Sequence, residues 1–419
     1  MDRIKIVGGT PLEGKTFISG SKNAALPILA SSLLIDGNIK LTNLPKLADI
    51  HSMLQLLSHL NVSSSFEDKR LYIESYFVKK KVAPYELVRK MRASFLVLGP
   101  LLAKYGEARV SMPGGCAIGA RPVNIHLFGL QKLGVEFSIK DGYVQGIAKK
   151  GLIGKEVFLP FPSVGATENL IMAASLASGI TIIKNAAREP EISDLSKFLN
   201  QAGAKISGYG TKEIKIEGVK KLNGVNYKIM PDRIEAGTFA LAVLGCSGKI
   251  LLENLNKEVI LHLNQIFRKI EELKIKSLDN NRILISCGLK KKNPIKLKTE
   301  TYPGFPTDLQ AQLIAAYTVS KGESEITETI FENRFMHVQE LLRMGAKISQ
   351  SGPTVKINGQ IKINGAEVMA TDLRASSSLI IAGMMAKGVS VINRIYHLDR
   401  GYENLEQKLS SCCAKIKRI

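Results

Sequence analysis

Six stretches of the chain share one order of hydrophobic and polar positions. In each stretch a polar or basic corner opens an apolar helix, a glycine or another break precedes a strand, and a second amphipathic helix follows. Neighbouring corners lie about 65 to 75 residues apart, so the pattern is an internal repeat. The corners span residues 21–25, 92–94, 163–167, 233–238, 307–311 and 372–376.

A strand follows each first helix, and most of these strands alternate apolar and polar residues, as expected when one face of a strand is buried. Second helices show apolar residues at helical spacing, and a Gly-Ala or similar signal ends several of them. The pattern predicts second helices at residues 192–202 and 334–345, among others. It predicts strands at residues 39–43, 108–111, 180–185, 250–254, 325–329 and 389–393.

The repeat and the chain length together predict an α/β protein with two domains. A chain of 419 residues is longer than one hydrophobic core usually serves. Repeats can also build an open solenoid. Six large βαβ-type units fit two closed groups of three better.

The position of each corner, between a strand and a helix, has a consequence for binding. Helix N-termini carry unpaired N–H groups and the positive end of the helix dipole, so they favour anions. Lys22, Arg92, Arg233 and Arg374 lie at corners and add full positive charges. We expect a cleft that attracts anions if helices of both domains point into it.

The formal net charge of +21 is the unusual feature of the composition. It is compatible with a nucleic-acid binder, a membrane-surface protein or an enzyme for anionic substrates. Nucleic-acid binders concentrate their charge and interleave aromatic residues. Here the lysines are spread along the chain and only 6% of residues are aromatic. The charge therefore allows a polyanionic substrate without identifying one.

The cysteines, histidines and apolar runs argue against several other classes. Five cysteines without CxxC spacing and six scattered histidines predict neither a disulfide framework nor a metal centre. No apolar run reaches the roughly 18 residues of a bilayer span, and the N-terminus lacks the apolar core of a secretory signal. We expect a reduced, cytoplasmic, metal-free protein.

Residues 9–16 match the P-loop pattern GxxxxGK[ST]. That pattern needs a helix starting at its lysine. Residues 16–19 instead alternate like a strand, and the apolar helix begins only after Gly20. We therefore expect a strand here and no nucleotide loop.

Residues 113–122 form a glycine-rich segment that suits an exposed loop. Within it Cys116 lies near Arg121, whose charge favours the thiolate, so a chemical role for this cysteine is as plausible as a structural one. Cys246, in an apolar helix, fits a small core residue instead.

Charged residues suited to anions and to proton transfer collect in the last third of the chain. Each of its four corner or strand-end arginines can donate two hydrogen bonds at once to phosphate or carboxylate; these are Arg334, Arg374, Arg394 and Arg400. Asp308 and Asp372 each open a helix, where helix capping would be a sufficient explanation for an aspartate. From the residue types alone, the reaction stays open.

Each repeat contains motifs that are specific to a known family. They comprise residues 20–27, 91–94, 116–123, 161–167, 231–238, 302–308, 332–335, 371–374 and 399–402. From Ile4 to the C-terminus the chain resembles the enolpyruvyl transferase family, and within it the UDP-N-acetylglucosamine 1-carboxyvinyltransferases.

The resemblance implies a fold of two inside-out α/β barrel domains, each of three repeated units, with the substrates in the interdomain cleft. It implies that residues 22–230 form one domain, which carries the Cys116 loop. Residues 1–21 and 231–419 form the other.

The resemblance also implies a reaction, the first committed step of peptidoglycan synthesis. The 3′-hydroxyl of UDP-N-acetylglucosamine attacks C2 of phosphoenolpyruvate while C3 takes a proton, and phosphate then leaves the tetrahedral intermediate. By resemblance Asp308 is the base and Cys116 the proton donor. Cys116 forming a covalent adduct or assisting product release is an alternative. No metal or cofactor is implied, and no specific nucleic acid.

The remaining site residues are also assigned by resemblance. The phosphate contacts Lys22, Arg92, Arg121 and Arg400, of which Lys22 and Arg400 also assist catalysis. Arg334 and Arg374 secure the carboxylate or the closed cleft. The full substrate-binding set is Lys22, Asn23, Arg92, Arg121, Pro122, Val123, Asn124, Ile125, Phe161, Pro162, Ser163, Val164, Gly165, Asp308, Ile330, Arg334, Asp372, Arg374 and Arg400.

Two positions depart from the family pattern, and three rival functions stand beside the expected one. Phe161 replaces a lysine that some members place against the diphosphate, and Asn124 replaces a frequent aspartate. The rivals are the sister transferase that uses shikimate 3-phosphate, a basic nucleic-acid-binding protein and an inactive paralogue. Cys116 and the segment 163–165 favour the UDP-sugar.

Overall fold

The computed structural model describes residues 2–68, 70–75, 78, 81–113, 123–288 and 292–419. Contacts between Cα atoms divide them into two compact units. The terminal unit contains residues 2–19 and 231–419. The middle unit contains the described residues from 20 to 230.

The strands and helices of the described residues are numbered in chain order. The strands are β1 Ile4–Val7, β2 Leu12–Phe17, β3 Ile35–Thr42, β4 Val62–Glu67, β5 Arg70–Ser75, β6 Val82–Ala83, β7 Glu107–Ser111, β8 Glu136–Lys140, β9 Tyr143–Ile147, β10 Glu156–Phe158, β11 Ile180–Lys184, β12 Lys205–Ser207, β13 Glu213–Glu217, β14 Leu222–Lys228, β15 Gly248–Glu253, β16 Leu273–Ser277, β17 Ile283–Cys287, β18 Lys296–Lys298, β19 Glu323–Thr327, β20 Lys347–Ser351, β21 Thr354–Asn358, β22 Glu367–Met369, β23 Val389–Asn393 and β24 Lys415–Arg418. The α-helices are α1 Lys22–Ser31, α2 Ala48–His59, α3 Tyr85–Val88, α4 Leu98–Tyr105, α5 Asn124–Lys132, α6 Val164–Ala174, α7 Pro190–Gln201, α8 Arg233–Cys246, α9 Lys257–Phe267, α10 Gln310–Tyr317, α11 His337–Arg343, α12 Leu373–Met385 and α13 Leu405–Ser410. Short 3-10 helices cover Ser32–Leu34, Arg92–Val97, Thr307–Leu309 and Ile395–Arg400.

Six four-stranded sheets repeat one pairing scheme, in which a parallel pair is followed by two antiparallel neighbours. The middle unit has the orders β14-β3-β5-β4, β6-β7-β9-β8 and β10-β11-β13-β12. The terminal unit has β2-β15-β17-β16, β18-β19-β21-β20 and β22-β23-β1-β24. The sixfold α/β repeat predicted from the sequence is therefore confirmed. Among the described strands these sheets stay separate and close no barrel.

The N-terminal residues contribute strands to two sheets of the terminal unit. β1 lies antiparallel between β23 and β24, and β2 runs parallel to β15. Residues 12–17 are therefore a strand, which confirms that the P-loop pattern is not a nucleotide loop. The six predicted strands are found as β3, β7, β11, β15, β19 and β23, each within a few residues of its predicted bounds.

Three helices form the core of each unit. In the middle unit α1 and α4 pack with α6, and in the terminal unit α8, α10 and α12 contact one another. Their buried residues run all round the helix, and α8 is buried from Arg233 through Leu244. A helix that is apolar on every face is stable only inside a core. These are the apolar first helices that the repeat predicted.

Two corners and one second helix differ from the predicted form. Arg92 and Thr307 begin 3-10 helices without a side-chain cap, and the α-helix follows only afterwards. The helix predicted at residues 334–345 is α11, which begins only at His337. Arg334 lies before this helix, and its side chain donates hydrogen bonds to Thr307 and Asp308.

Candidate active site

In the middle unit, Lys22 opens α1 and is tied to the next helix. Ser21 caps α1 by accepting a hydrogen bond from the Ala24 amide. The Lys22 Nζ lies 3.1 Å from Asp49 Oδ2, and the two side chains are only 12% and 5% exposed. The pair fixes the ammonium at a helix N-terminus, which is the position the sequence predicts for an anion contact. Asn23 follows Lys22 in α1.

The other predicted residues of the middle unit also lie at helix starts. Arg92 is half-buried at the first position of its 3-10 helix. Ser163 caps α6 by accepting from the Ala166 amide at 3.4 Å. The residues that lie beside these starts or in the first turns of α5 and α6 are Val123, Asn124, Ile125, Phe161, Pro162, Val164 and Gly165. Phe161 is 44% exposed. Cys116, Arg121 and Pro122 lie outside the described residues, so their roles stay predictions.

His126 is a buried residue among these helix starts that the sequence analysis missed. Its Nδ1 lies 2.9 Å from Asn169 Nδ2, and its ring meets Phe95 edge-on. Burial, reinforced by the charge of Arg92, lowers the pKa of His126 to about 3. The ring is therefore neutral and accepts the hydrogen bond from Asn169. Its only sequence signal was its position directly after residues 123–125.

In the terminal unit a carboxylate lies between two guanidinium groups. Arg334 Nη2 donates to Asp308 Oδ1 at 2.5 Å, and Arg374 Nη2 donates to Asp308 Oδ2 at 2.8 Å. The arginine side chains are 5% and 7% exposed, while Asp308 is half-buried. Asp308 and Arg334 belong to the fifth repeat and Arg374 to the sixth, and all three were predicted site residues. The fold thus brings together residues that are far apart in sequence.

The positive charges of Arg334 and Arg374 control the protonation of Asp308. Burial raises the pKa of its carboxyl, but Arg374 and Arg334 outweigh that effect and hold the pKa well below its usual range. Burial lowers the pKa of Arg374, but the negative charge of Asp308 raises it by more. The pKa of Arg374 therefore lies above its ordinary value. The capping explanation of Asp308 is wrong, because its carboxylate binds arginines instead of helix amides. Asp372 does cap α12, accepting from the Arg374 and Ala375 amides.

A buried polar network that the sequence analysis did not predict supports Arg374. Its Nη1 donates to the Tyr402 hydroxyl at 3.1 Å. Tyr402 lies 2.9 Å from Thr238 Oγ1, and Gln312 Nε2 donates to the hydroxyls of both residues. The signal for Tyr402 was its place in the motif 399–402, which we had assigned only to Arg400.

Three other predicted or candidate residues belong to the terminal unit. Arg400 is half-buried at the end of the 3-10 helix Ile395–Arg400. Ile330 is half-buried, and its amide donates to Glu328 Oε1 at 2.8 Å. Arg394, which the sequence grouped with the site arginines, is exposed and in the left-handed region with φ 58°.

The described ranges contain neither a candidate metal cluster nor a candidate membrane span. Within those ranges, no group of three or more His, Cys, Asp or Glu side chains is arranged to hold a metal ion. Nor does any helix of the described chain combine the length and the apolar composition of a bilayer span.

Comparison with known proteins defines the class first. The family model described as EPSP synthase (3-phosphoshikimate 1-carboxyvinyltransferase) matches residues 6–409. The chain therefore belongs to this enolpyruvyl transferase family. Among solved structures, the enolpyruvyl transferase NikO from Streptomyces tendae has a TM-score of 0.88 at 20% identity, covering 100% of this chain and 98% of that one. EPSP synthase from Acinetobacter baumannii has a TM-score of 0.77 at 17% identity, covering 100% of both. These likenesses confirm the predicted fold class.

Nearer relatives carry one particular name, UDP-N-acetylglucosamine 1-carboxyvinyltransferase. The protein of that name from Granulibacter bethesdensis is 50% identical over 421 residues, covering 100% of both chains. The one from Brucella ovis is 50% identical over 433 residues, again covering 100% of both. The form numbered 1 from Caldanaerobacter subterraneus is 51% identical over 408 residues, or 97% of each chain. The resemblance drawn from the sequence motifs is confirmed.

Proposed function

We propose that this protein transfers the enolpyruvyl group of phosphoenolpyruvate to the 3′-hydroxyl of UDP-N-acetylglucosamine and releases phosphate. This is the first committed step of peptidoglycan synthesis. The observation that carries the proposal is the 50% identity, over whole chains, to relatives named for this reaction. We also propose a cytoplasmic location, because both substrates are made there.

The reaction needs a carboxylate that takes the proton of the attacking hydroxyl, and we assign this role to Asp308. The two arginines keep Asp308 ionised, so it can accept a proton without first losing one. The same arginines weaken it as a base, because they stabilise the charged form. The carboxylate must therefore lose part of this pairing before it accepts the proton.

Binding of phosphoenolpyruvate to Arg334 and Arg374 can weaken their pairing with Asp308. Both guanidinium groups suit the carboxylate of phosphoenolpyruvate, since each can donate two parallel hydrogen bonds. A bound substrate carboxylate competes with Asp308 for these donors, and the basicity of Asp308 then rises. The base becomes effective when the donor substrate is present, which favours transfer over wasteful side reactions.

The other end of the double bond needs an acid, and the leaving phosphate needs positive charge. We assign the acid role to Cys116, which gives a proton to C3 as the sugar oxygen bonds to C2. Lys22, Arg92, Arg121 and Arg400 neutralise the phosphate as its C–O bond breaks. Loss of a proton from C3 then restores the double bond in the product.

The acceptor contacts are assigned to residues at the helix starts of the middle unit and to a few in the terminal unit. Backbone N–H groups at helix N-termini suit a diphosphate, and this supports the set at the starts of α5 and α6. Exposed Phe161 offers an aromatic face to the nucleotide. The set comprises Asn23, Val123, Asn124, Ile125, Phe161, Pro162, Ser163, Val164, Gly165, Asp308, Ile330 and Asp372, together with Arg121 and Pro122.

A second candidate acceptor is shikimate 3-phosphate, because the matching family model is described by that activity. The test is phosphate release from phosphoenolpyruvate with each acceptor in separate reactions. We expect release with UDP-N-acetylglucosamine only. Release only with shikimate 3-phosphate would keep the fold and overturn the acceptor, and release with neither would overturn the activity.

A further inference from the structure

A buried carboxylate next to the site, Glu328, has no role in the chemistry proposed so far. It directly follows β19 and is 2% exposed. Its oxygens accept hydrogen bonds from the hydroxyl of Thr299 at 2.9 Å and from the amides of Ile330 and Phe331 at 2.8 and 3.2 Å. It also accepts from the hydroxyl of Thr307 at 2.8 Å. Each of these four partners is a donor, as an ionised carboxylate requires.

The Thr307 hydroxyl connects Glu328 to the reactive cluster. Arg334 Nη1 donates to Thr307 Oγ1 at 2.7 Å, and Arg334 Nη2 donates to Asp308. A guanidinium group can only donate, so the hydroxyl accepts from Arg334 and gives its own proton to Glu328. In the chain of hydrogen bonds that links Glu328 to Asp308 through Thr307 and Arg334, the donor and the acceptor of each bond are therefore fixed.

Glu328 acts on Arg334 from two sides. Through Thr307 it fixes one guanidinium nitrogen. Through the Ile330 and Phe331 amides it fixes the turn that leads to Arg334, and the Phe331 ring lies 5.2 Å from the guanidinium carbon. A side chain held at its head and at its backbone has few alternative rotamers. Such support is what keeps a charged group within the tolerance that catalysis needs.

We propose that Thr307 and Glu328 are positioning residues that hold Arg334 in the geometry in which it serves Asp308 and the substrate carboxylate. The inference rests on the proposed function. It also makes the two arginines unequal. Arg334 is connected through one hydroxyl to a buried anion, whereas Arg374 is held by the uncharged Tyr402 network. Arg334 is then the fixed partner of Asp308.

The simpler alternative is that Glu328 only stabilises the turn at residues 328–331. The two roles differ at Thr307, because this residue contributes to Arg334 and supplies no amide to that turn. Thr307→Val removes the hydroxyl and keeps the shape, whereas Thr307→Ser keeps the hydroxyl. Thr327→Val is a matched control, since Thr327 makes a similar hydrogen bond of 2.9 Å to Thr354 in the neighbouring strand.

The experiment measures kcat, the KM for phosphoenolpyruvate and the unfolding midpoint for these three variants and the wild type. We expect T307V to lose roughly 10- to 100-fold in kcat/KM for phosphoenolpyruvate. T307S should stay within about threefold of the wild type, and T327V should match it. The acid limb of the T307V pH profile should move to higher pH, because a loosened Arg334 depresses the Asp308 pKa less.

Two results would overturn the inference while the wild type remains active. One is a T307V enzyme with wild-type kcat/KM and pH profile. The other is equal loss in T307V and T307S, which would show that the hydroxyl is not what matters. An inactive wild type would instead count against the proposed function. If T307V does not fold, Glu328→Gln tests the same connection. The side-chain amide of the introduced glutamine donates to the Thr307 hydroxyl, which reverses that hydrogen bond. Unchanged kcat/KM in E328Q would overturn the inference.

Discussion

At the scale of single residues, Asp308 shows how neighbours determine what an ionisable group can do. Its carboxylate touches two nearly buried arginines, and this cluster carries more positive than negative charge. The surplus is useful only if an anion binds there, which fits a substrate carboxylate. Removing Asp308 should therefore damage both catalysis and stability.

We expect Asp308→Asn to lower turnover by at least about 100-fold, since it removes the base. It should lower the free energy of unfolding by about 3 kcal/mol, because two buried guanidinium groups lose their counter-charge. The folded pKa of Asp308 lies below its unfolded value of about 3.9. The ion pairs thus stabilise fully above about pH 4, and their contribution is lost as the pH falls toward the folded pKa. Near-normal turnover of this variant would remove Asp308 from the base role.

Buried His126 makes a second prediction, about the pH dependence of stability. Its folded pKa of about 3 lies below the unfolded value of about 6.5. Between these values only the unfolded chain takes up the proton, so stability falls as the pH drops. For this residue alone we expect a loss of about 2 kcal/mol from pH 7 to pH 5.

His126→Gln keeps an acceptor for Asn169 but cannot titrate. The difference in unfolding free energy between pH 7 and pH 5, measured with denaturant, should therefore shrink by about 2 kcal/mol. His51→Gln removes an exposed histidine of the same unit and should leave that difference unchanged. An undiminished difference in the His126 variant would contradict the account.

At the scale of elements, the first helices of the repeats pack closely because small residues let their backbones approach. A Cβ on Gly99 of α4 would lie 2.5 Å from the Asn169 carbonyl oxygen of α6. The Gly99 amide also donates to Asn169 Oδ1 at 2.8 Å. The helix–helix distance is therefore set by backbone atoms that cannot move independently.

Gly99→Ala should lower the free energy of unfolding by about 1 to 3 kcal/mol, because either α4 or α6 must shift. Gly237→Ala is the matched control in α8. Its Cβ would meet side-chain atoms of Leu309, the nearest 2.5 Å away, and its three nearest neighbours include no backbone atom. Alanine also favours a helix by about 1 kcal/mol over glycine, so we expect the control to stay within about 1 kcal/mol of the wild type. Equal effects of the two substitutions would contradict this explanation.

The elements also show what the sequence could and could not predict. The repeat together with the alternation in most of its strands predicted all six strands, because one buried face imposes a period of two residues. Helical spacing could not place the start of α11, because Arg334, just before the helix, binds Thr307 and Asp308 at the corner that opens the same repeat. Glu328 and Tyr402 were missed for a similar reason. Thr307 lies 21 residues from Glu328, and Arg374 lies 28 residues from Tyr402. Nothing in the local sequence marks a residue that supports an arginine through such a contact.

At the scale of the whole molecule, the repeat is what creates the site. Asp308 and Arg334 belong to the fifth repeat and Arg374 to the sixth, and the packing of α10 with α12 brings these two repeats together. The sequence could predict that corner residues bind anions, because helix N-termini favour them. It could not predict which corners meet, and only the resemblance assigned their chemistry. The roles of Cys116 and Arg121, outside the described residues, remain predictions.

The central claim is the choice of acceptor, and a competition experiment tests it most directly. The protein is given phosphoenolpyruvate with equal concentrations of UDP-N-acetylglucosamine and shikimate 3-phosphate, and the products are identified by mass spectrometry. The account predicts enolpyruvyl-UDP-N-acetylglucosamine, with shikimate 3-phosphate recovered unchanged. Enolpyruvyl transfer to shikimate 3-phosphate, with the UDP-sugar left intact, would contradict it.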